Sequence, residues 1–141
     1  MNSITKNSHY EESKIMYNYL LKLYPNLDEK IYQEILNIPI EKINKKIRSP
    51  FRKDKDPSFQ FRYVTMEDSF ASIGDKPLIR DILCSVDYGG WSFKSGTYAI
   101  PLTLVAWYYN LYTNGKIDLE RIIQLLYKKF NIPYNLRNIN T

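Results

Sequence analysis

Between Lys42 and Arg62 the chain carries Lys42, Lys45, Lys46, Arg48, Arg52, Lys53, Lys55 and Arg62 against only Asp54 and Asp56, a net of +6 in a protein whose whole formal charge is +5. Cations gathered this way attract phosphates. Directly after them, Phe59, Phe61 and Tyr63 alternate with Ser58, Gln60 and Arg62. A basic loop beside an aromatic strand is what proteins use to hold single-stranded nucleic acid, cations on the backbone and rings against bases. Two competing readings stay open: lysine-rich segments also serve as plain solvated surface, and three rings on one strand face are what a small core wants. Trp91 and Phe93, in a segment bounded by Gly90 and Gly96, are further stacking candidates, unless that loop tucks back onto the core. Asp54-Lys55-Asp56 has the spacing of some divalent-metal loops but no third acidic neighbour, so it reads as a charged turn.

Other chemistry is scarce. Cys84 and His9 are the single cysteine and the single histidine. An internal disulfide and a four-ligand Cys/His zinc site are therefore both impossible within one chain. No Gly-x-Ser-x-Gly turn and no glycine-rich phosphate loop occurs, and His9 lies too far along the chain from Cys84 to form an obvious nucleophile pair. His9 reads as solvent-facing at a helix start and Cys84 as a packing residue. No catalysis is expected, and no cofactor.

The elements that must position these residues follow from periodicity. Ser8 and Glu11 stand at capping-box spacing before Ile15, Met16, Tyr19, Leu20 and Leu23, which predicts a helix over about 9–24 ending at Pro25. A shorter helix is expected from Asn26, with Ile31, Tyr32, Ile35 and Leu36 on its apolar face before Pro39. Residues 57–65 read as a half-buried strand with Phe59, Phe61 and Tyr63 inward, 66–77 as a hairpin loop and 78–86 as the partner strand. Asp87-Tyr88-Gly89-Gly90 reads as a turn. A helix is expected over about 98–112, tolerating Pro101 in its first turn, and a last one capped by Asp118, with Leu119, Ile122, Ile123, Leu126 and Phe130 forming one stripe. The fold class is α+β.

With 141 residues, 44% hydrophobic and 25% charged, the chain has room for a single core. Its most apolar run, Tyr98 to Tyr112, is too short to cross a bilayer and contains Pro101. The polar first ten residues lack the apolar stretch of a secretory signal, so the expected location is the cytoplasm, that of the host if the protein is viral.

Taken in order, Ser49-Pro50-Phe51-Arg52, Asp56-Pro57-Ser58-Phe59, Cys84-Ser85-Val86-Asp87-Tyr88-Gly89-Gly90 and Ser95-Gly96 resemble the N-terminal zinc-ribbon domain of bacterial and phage DNA primases. That family places a first ligand pair in Cys-Pro-x-His, a charged loop ending in Pro-Ser-Phe, a hairpin, and a second pair in Cys-x-x-Cys before glycines and a helix. The family's ligand positions fall here on Ser49, Arg52, Cys84 and Asp87, so three of four ligands are absent. The sequence is closer to a metal-free branch in phage replication proteins, with Ser-Pro-Leu-Arg for the first pair and Asp-Phe-Gly where the second was. The resemblance covers about residues 43–132 and leaves 1–42 as an N-terminal helical extension and 133–141 as a tail. It implies a metal-free, zinc-ribbon-like antiparallel hairpin or small sheet, flanked by two helices on either side and presenting a template-binding surface.

Without an ion to close it, such a fold needs another clasp. An Arg52–Asp87 ion pair, surrounded by Phe51, Cys84 and Tyr88, is one candidate; the alternative is that both are exposed turn charges. The resemblance further implies a non-catalytic DNA-replication module whose primer-synthesising partner lies elsewhere. Lys45, Lys46, Arg48, Lys53, Lys55 and Arg62 would contact phosphates, Gly89 and Gly90 would allow close approach of a strand, and Trp91 would stack on a base. Single-stranded DNA or another nucleic acid, with a replication helicase or primase, would be the partners. The competing function is a stand-alone protein-interaction module, virus structural or host-directed, for which 13 tyrosines and the added helices supply surface.

Overall fold

The computed structural model describes residues 2–40, 43–48, 50, 59–73, 76–87 and 98–134. It is α+β, as expected from the sequence. Helix α1 spans Asn2–Leu23. Helix α2, Leu27–Lys30, runs straight into a π-helical turn at Ile31–Ile35. Four strands follow: β1 (Lys46–Ile47), β2 (Phe59–Ile73), β3 (Lys76–Asp87) and β4 (Tyr98–Ala99), forming an antiparallel sheet in sequence order. Helix α3, Pro101–Tyr109, a small hairpin of β5 (Tyr112–Thr113) and β6 (Lys116–Ile117), and helix α4, Leu119–Lys129, complete the described chain.

Several expectations need correcting. The first helix begins well before residue 9, so the Ser8–Glu11 pair lies in its interior. Asn26 does precede α2, yet its side chain makes no cap hydrogen bond. The predicted 66–77 loop is strand: β2 and β3 stay paired from Phe59↔Asp87 through Asp68↔Leu78, and again at Ser72↔Pro77 and Ile73↔Lys76. Ser69, Phe70 and Ala71 form a bulge that absorbs the polar stretch without ending the ribbon. The predicted 98–112 helix is shorter, because Tyr98 and Ala99 pair with β3 and only from Pro101 does the chain turn helical, with the proline in the first turn. Asn110, at φ 55°, ends it.

Asparagine recurs at such points: Asn37, Asn44, Asn110, Asn114 and Asn131 all have positive φ, which its short polar side chain tolerates. The last helix is as predicted. The Asp118 carboxylate accepts from the Arg121 N–H at 3.2 Å, and the whole predicted stripe is buried.

One continuous core joins all these parts. Met16, Tyr17 and Leu20 of α1, Leu27, Ile31, Tyr32 and Ile35 of the second helical segment, Phe59, Phe61 and Leu83 of the sheet, and the apolar faces of α3 and α4 belong to it. Each fully buried large side chain contributes on the order of 1.5–3 kcal/mol.

A polar cluster ties the N-terminal helices to the hairpin. Arg80 donates to both Asp28 oxygens at 2.9 Å and, through Nε, to Asp68 at 3.0 Å. The Tyr17 hydroxyl donates to Asp68 at 2.7 Å. Burial is the largest single influence and works against the Arg80 charge, but the hydrogen bond to Asp28 together with the electrostatic pull of Tyr17, Asp28 and Asp68 outweighs it and holds the guanidinium protonated. Asp28 also accepts the Leu83 N–H at 3.0 Å, while the Tyr32 hydroxyl donates to the Leu83 carbonyl at 2.7 Å. These two side chains stand in for a neighbouring strand where β4 is too short to reach.

Candidate nucleic-acid interface

The sheet register sorts the predicted residues onto two faces. Lys46 pairs with Gln60, Gln60 with Val86, and Val86 with Tyr98, so one row crosses all four strands. Directly paired residues share a face. Two residues from Gln60 on β2, Arg62 returns to that face, opposite Cys84. The Arg62 guanidinium donates to the Tyr98 hydroxyl at 2.9 Å and lies 6.0 Å from its ring centre. Because Arg62 neighbours Cys84 and Tyr98 neighbours Val86, this bond crosses β3 diagonally, above two side chains that are fully buried. Lys46, Arg62 and Tyr98 are exposed, as are Lys45 and Arg48 beside them. Two exposed cations, Lys46 and Arg62, thus share this face with the Tyr98 ring at its far edge, while the β3 positions between, Ile82, Cys84 and Val86, are fully buried.

The opposite face belongs to the core. Phe59 and Phe61 are each 1% exposed and pack edge to face with ring centres 5.1 Å apart, and Tyr32 lies 4.9 Å from Phe61. Neither ring is open to a base. Tyr63 departs from the predicted inward set: it is 48% exposed, and its hydroxyl donates to Glu29 at 3.0 Å. Burial and this hydrogen bond push the Tyr63 hydroxyl up to about 12. Burial returns farther along β2, at Asp68 and Ala71, so Tyr63 marks a local gap in the packing and not the end of the covered strand.

Cys84 is completely buried on β3. Burial, then the negative charge of Asp28, pushes its thiol up to about 11. Zinc binds the thiolate, so this environment disfavours the one soft ligand that the family pattern retains. Ser49 and Arg52 are unsuited to zinc by type, and among the described residues no three His, Cys, Asp or Glu side chains converge. This donor set does not fit a zinc ion.

Ser49, Arg52, Lys53, Lys55, Gly89, Gly90 and Trp91 lie outside the described residues, as do Phe51, Tyr88 and Phe93. Asp87 is described through its backbone, which closes β3. The proposed Arg52–Asp87 clasp therefore falls outside the described residues. The strands leading to it are placed, however: Ile47 pairs with Phe59 and Phe59 with Asp87 in one row. β1 and β3 flank β2 and run parallel, so Ile47 and Asp87 stand at the same end of the sheet, about 10 Å apart across the row.

Sequence reasoning missed Tyr98, which it assigned to a helix, and the Arg80–Asp28–Asp68–Tyr17 cluster. A two-residue strand leaves too little alternation to detect, and partners 12 to 63 residues apart leave no local pattern. Compared with protein-family models, curated proteins and solved structures, the chain matches none of them.

Proposed function

We propose that this protein is a non-catalytic module that binds single-stranded nucleic acid on the outer face of its sheet, in the manner of the template-binding domain of DNA primases. The carrying observation is the segregation of the sheet: Lys46 and Arg62 share one face with Tyr98 while Phe59 and Phe61 fill the other. In this reading Lys45, Lys46, Arg48 and Arg62 meet phosphates, with Lys53 and Lys55 extending the track, and Tyr98 offers a ring edge-on to bases where the sequence suggests Trp91 as a further platform. The parallel course of β1 and β3 toward one end supports kinship with a two-knuckle ribbon, because that architecture needs residues 49–52 and 84–87 near one another. The module works in the cytoplasm beside a replication helicase or primase. Among the described residues no helix is long and apolar enough to cross a membrane.

Lys45, Lys46, Arg48 and Arg62 alone, as four phosphate contacts, give a salt slope near −3 on logarithmic axes, so affinity for a labelled single strand falls at least about 50-fold between 50 and 200 mM salt. Fluorescence anisotropy measures this directly. Replacing Lys45, Lys46 and Arg48 together by Glu abolishes binding, and Arg62→Ala weakens it while lowering the slope by about 0.7. Unchanged binding by the triple variant refutes the assignment of this face.

A further inference from the structure

Among the described residues, the outer edge of β2 is satisfied at both ends and bare in the middle. Leu83 bonds through both backbone groups to Asp28 and Tyr32, on the side away from β2. Its partner Tyr63 must then direct its own N–H and C=O away from β3. The Phe61 carbonyl confirms the phase, because it accepts the Asn44 N–H at 2.8 Å on that same outer side. By alternation, Tyr63, Thr65 and Glu67 present three N–H and three C=O groups outward. None has a backbone partner among the described residues.

Beyond this window the bulge at Ser69–Ala71 breaks the line, and the Asn18 side chain accepts the Ser72 N–H at 3.3 Å. The window itself, Tyr63-Val64-Thr65-Met66-Glu67, contains no proline, lysine or bulge, the usual protections of an edge. Thr65, Met66 and Glu67 are exposed along with Tyr63.

We infer that this edge pairs antiparallel with the same edge of a second copy, about a two-fold axis at Thr65. The pattern is self-complementary. With Thr65 opposite Thr65, Tyr63 lies opposite Glu67 and Val64 opposite Met66, so all six outward groups of each copy are bonded. Moving the axis to Val64 would set Glu67 against Phe61, whose carbonyl is already taken by Asn44; moving it to Met66 would set Tyr63 against the bulge. This register places no like charges in opposition and makes two Val–Met pairs and a Thr–Thr pair. The contact is far smaller than a standard interface, so the dimer forms in a concentration-dependent way. It requires no nucleic acid and stands apart from the basic face.

Sedimentation of the full chain without nucleic acid tests the pairing. The weight-average mass rises with concentration from 16.8 kDa toward twice that value. Thr65→Pro removes an outward N–H and the bond from the Thr65 hydroxyl to Asp81 but leaves the β2–β3 backbone ladder intact, so this variant stays folded by circular dichroism and monomeric throughout. Thr65→Lys, which keeps the backbone and sets two cations together at the axis, is also monomeric. Thr65→Cys forms a covalent dimer under mild oxidation, whereas a cysteine at exposed Ile79 does not. A wild-type chain that remains monomeric at every concentration overturns the inference, including the case where it binds an extended peptide of another protein instead. A dimer indifferent to both Thr65→Pro and Thr65→Lys overturns it equally.

Discussion

Arg80 shows how much one side chain can organise. Its fork meets Asp28 from α2 and Asp68 from β2, and its Nη2 donates to the Tyr17 hydroxyl of α1 at 3.1 Å, so it joins three elements distant in sequence. Asp68 is wholly buried and Asp28 nearly so, hence loss of the cation leaves carboxylates without compensation. Arg80→Met should cost about 3 kcal/mol, the low end for breaking a buried pair because Arg80 retains some exposure. Combining it with Asp28→Asn should recover part of that loss, since the amide still accepts the Leu83 N–H without a charge. Urea midpoints of the two variants make the comparison; a double variant less stable than Arg80→Met alone contradicts this account. Nothing in the chain's local pattern marks Arg80, as its partners meet only when the hairpin folds against the helices.

At the scale of elements, turns show which local signals hold. Asn114 and Gly115, at φ 55° and 76°, make the two-residue turn between β5 and β6 that an Asn-Gly pair favours. A Cβ added at Gly115 meets nothing within 4 Å. Gly115→Ala should therefore cost roughly 1 kcal/mol from backbone strain alone. A thermal melt reads it, and a loss several times larger would reveal a steric role that the open space excludes. The Asp118 cap and the α4 stripe were legible for the same reason: their determinants lie within one turn of helix. The length of the β2–β3 ribbon was not, because Gly74-Asp75-Lys76-Pro77 reads as the end of a loop over 66–77, while pairing with β3 and a bulge keep residues 66–73 in the sheet.

Across the whole molecule, buried hydroxyls and a buried thiol set the response to alkali. Burial raises Tyr17 and Tyr32 well above the ordinary tyrosine range, and Cys84 up to about 11. The folded state thus keeps protons that the unfolded chain releases. The stability these groups contribute is complete below about pH 8.5, where the unfolded thiol begins to ionise, and declines as pH rises through 11. Urea midpoints should fall steadily between pH 9 and 11, and Tyr32→Phe should flatten the slope while lowering the starting value; a pH-independent midpoint would contradict the burial.

Composition and periodicity by themselves determined the α+β class, the last two helices in outline, and the concentration of positive charge before an aromatic strand, because each depends on residues adjacent along the chain. Alternation already put Phe59 and Phe61 inward; tertiary packing alone decided that Tyr63 does not follow them, that Tyr98 joins Arg62, and that, among the described residues, one stretch of β2 has no backbone partner. Those outcomes turn on strand register and on which elements pack against each stretch of the ribbon, quantities that no neighbouring residues encode.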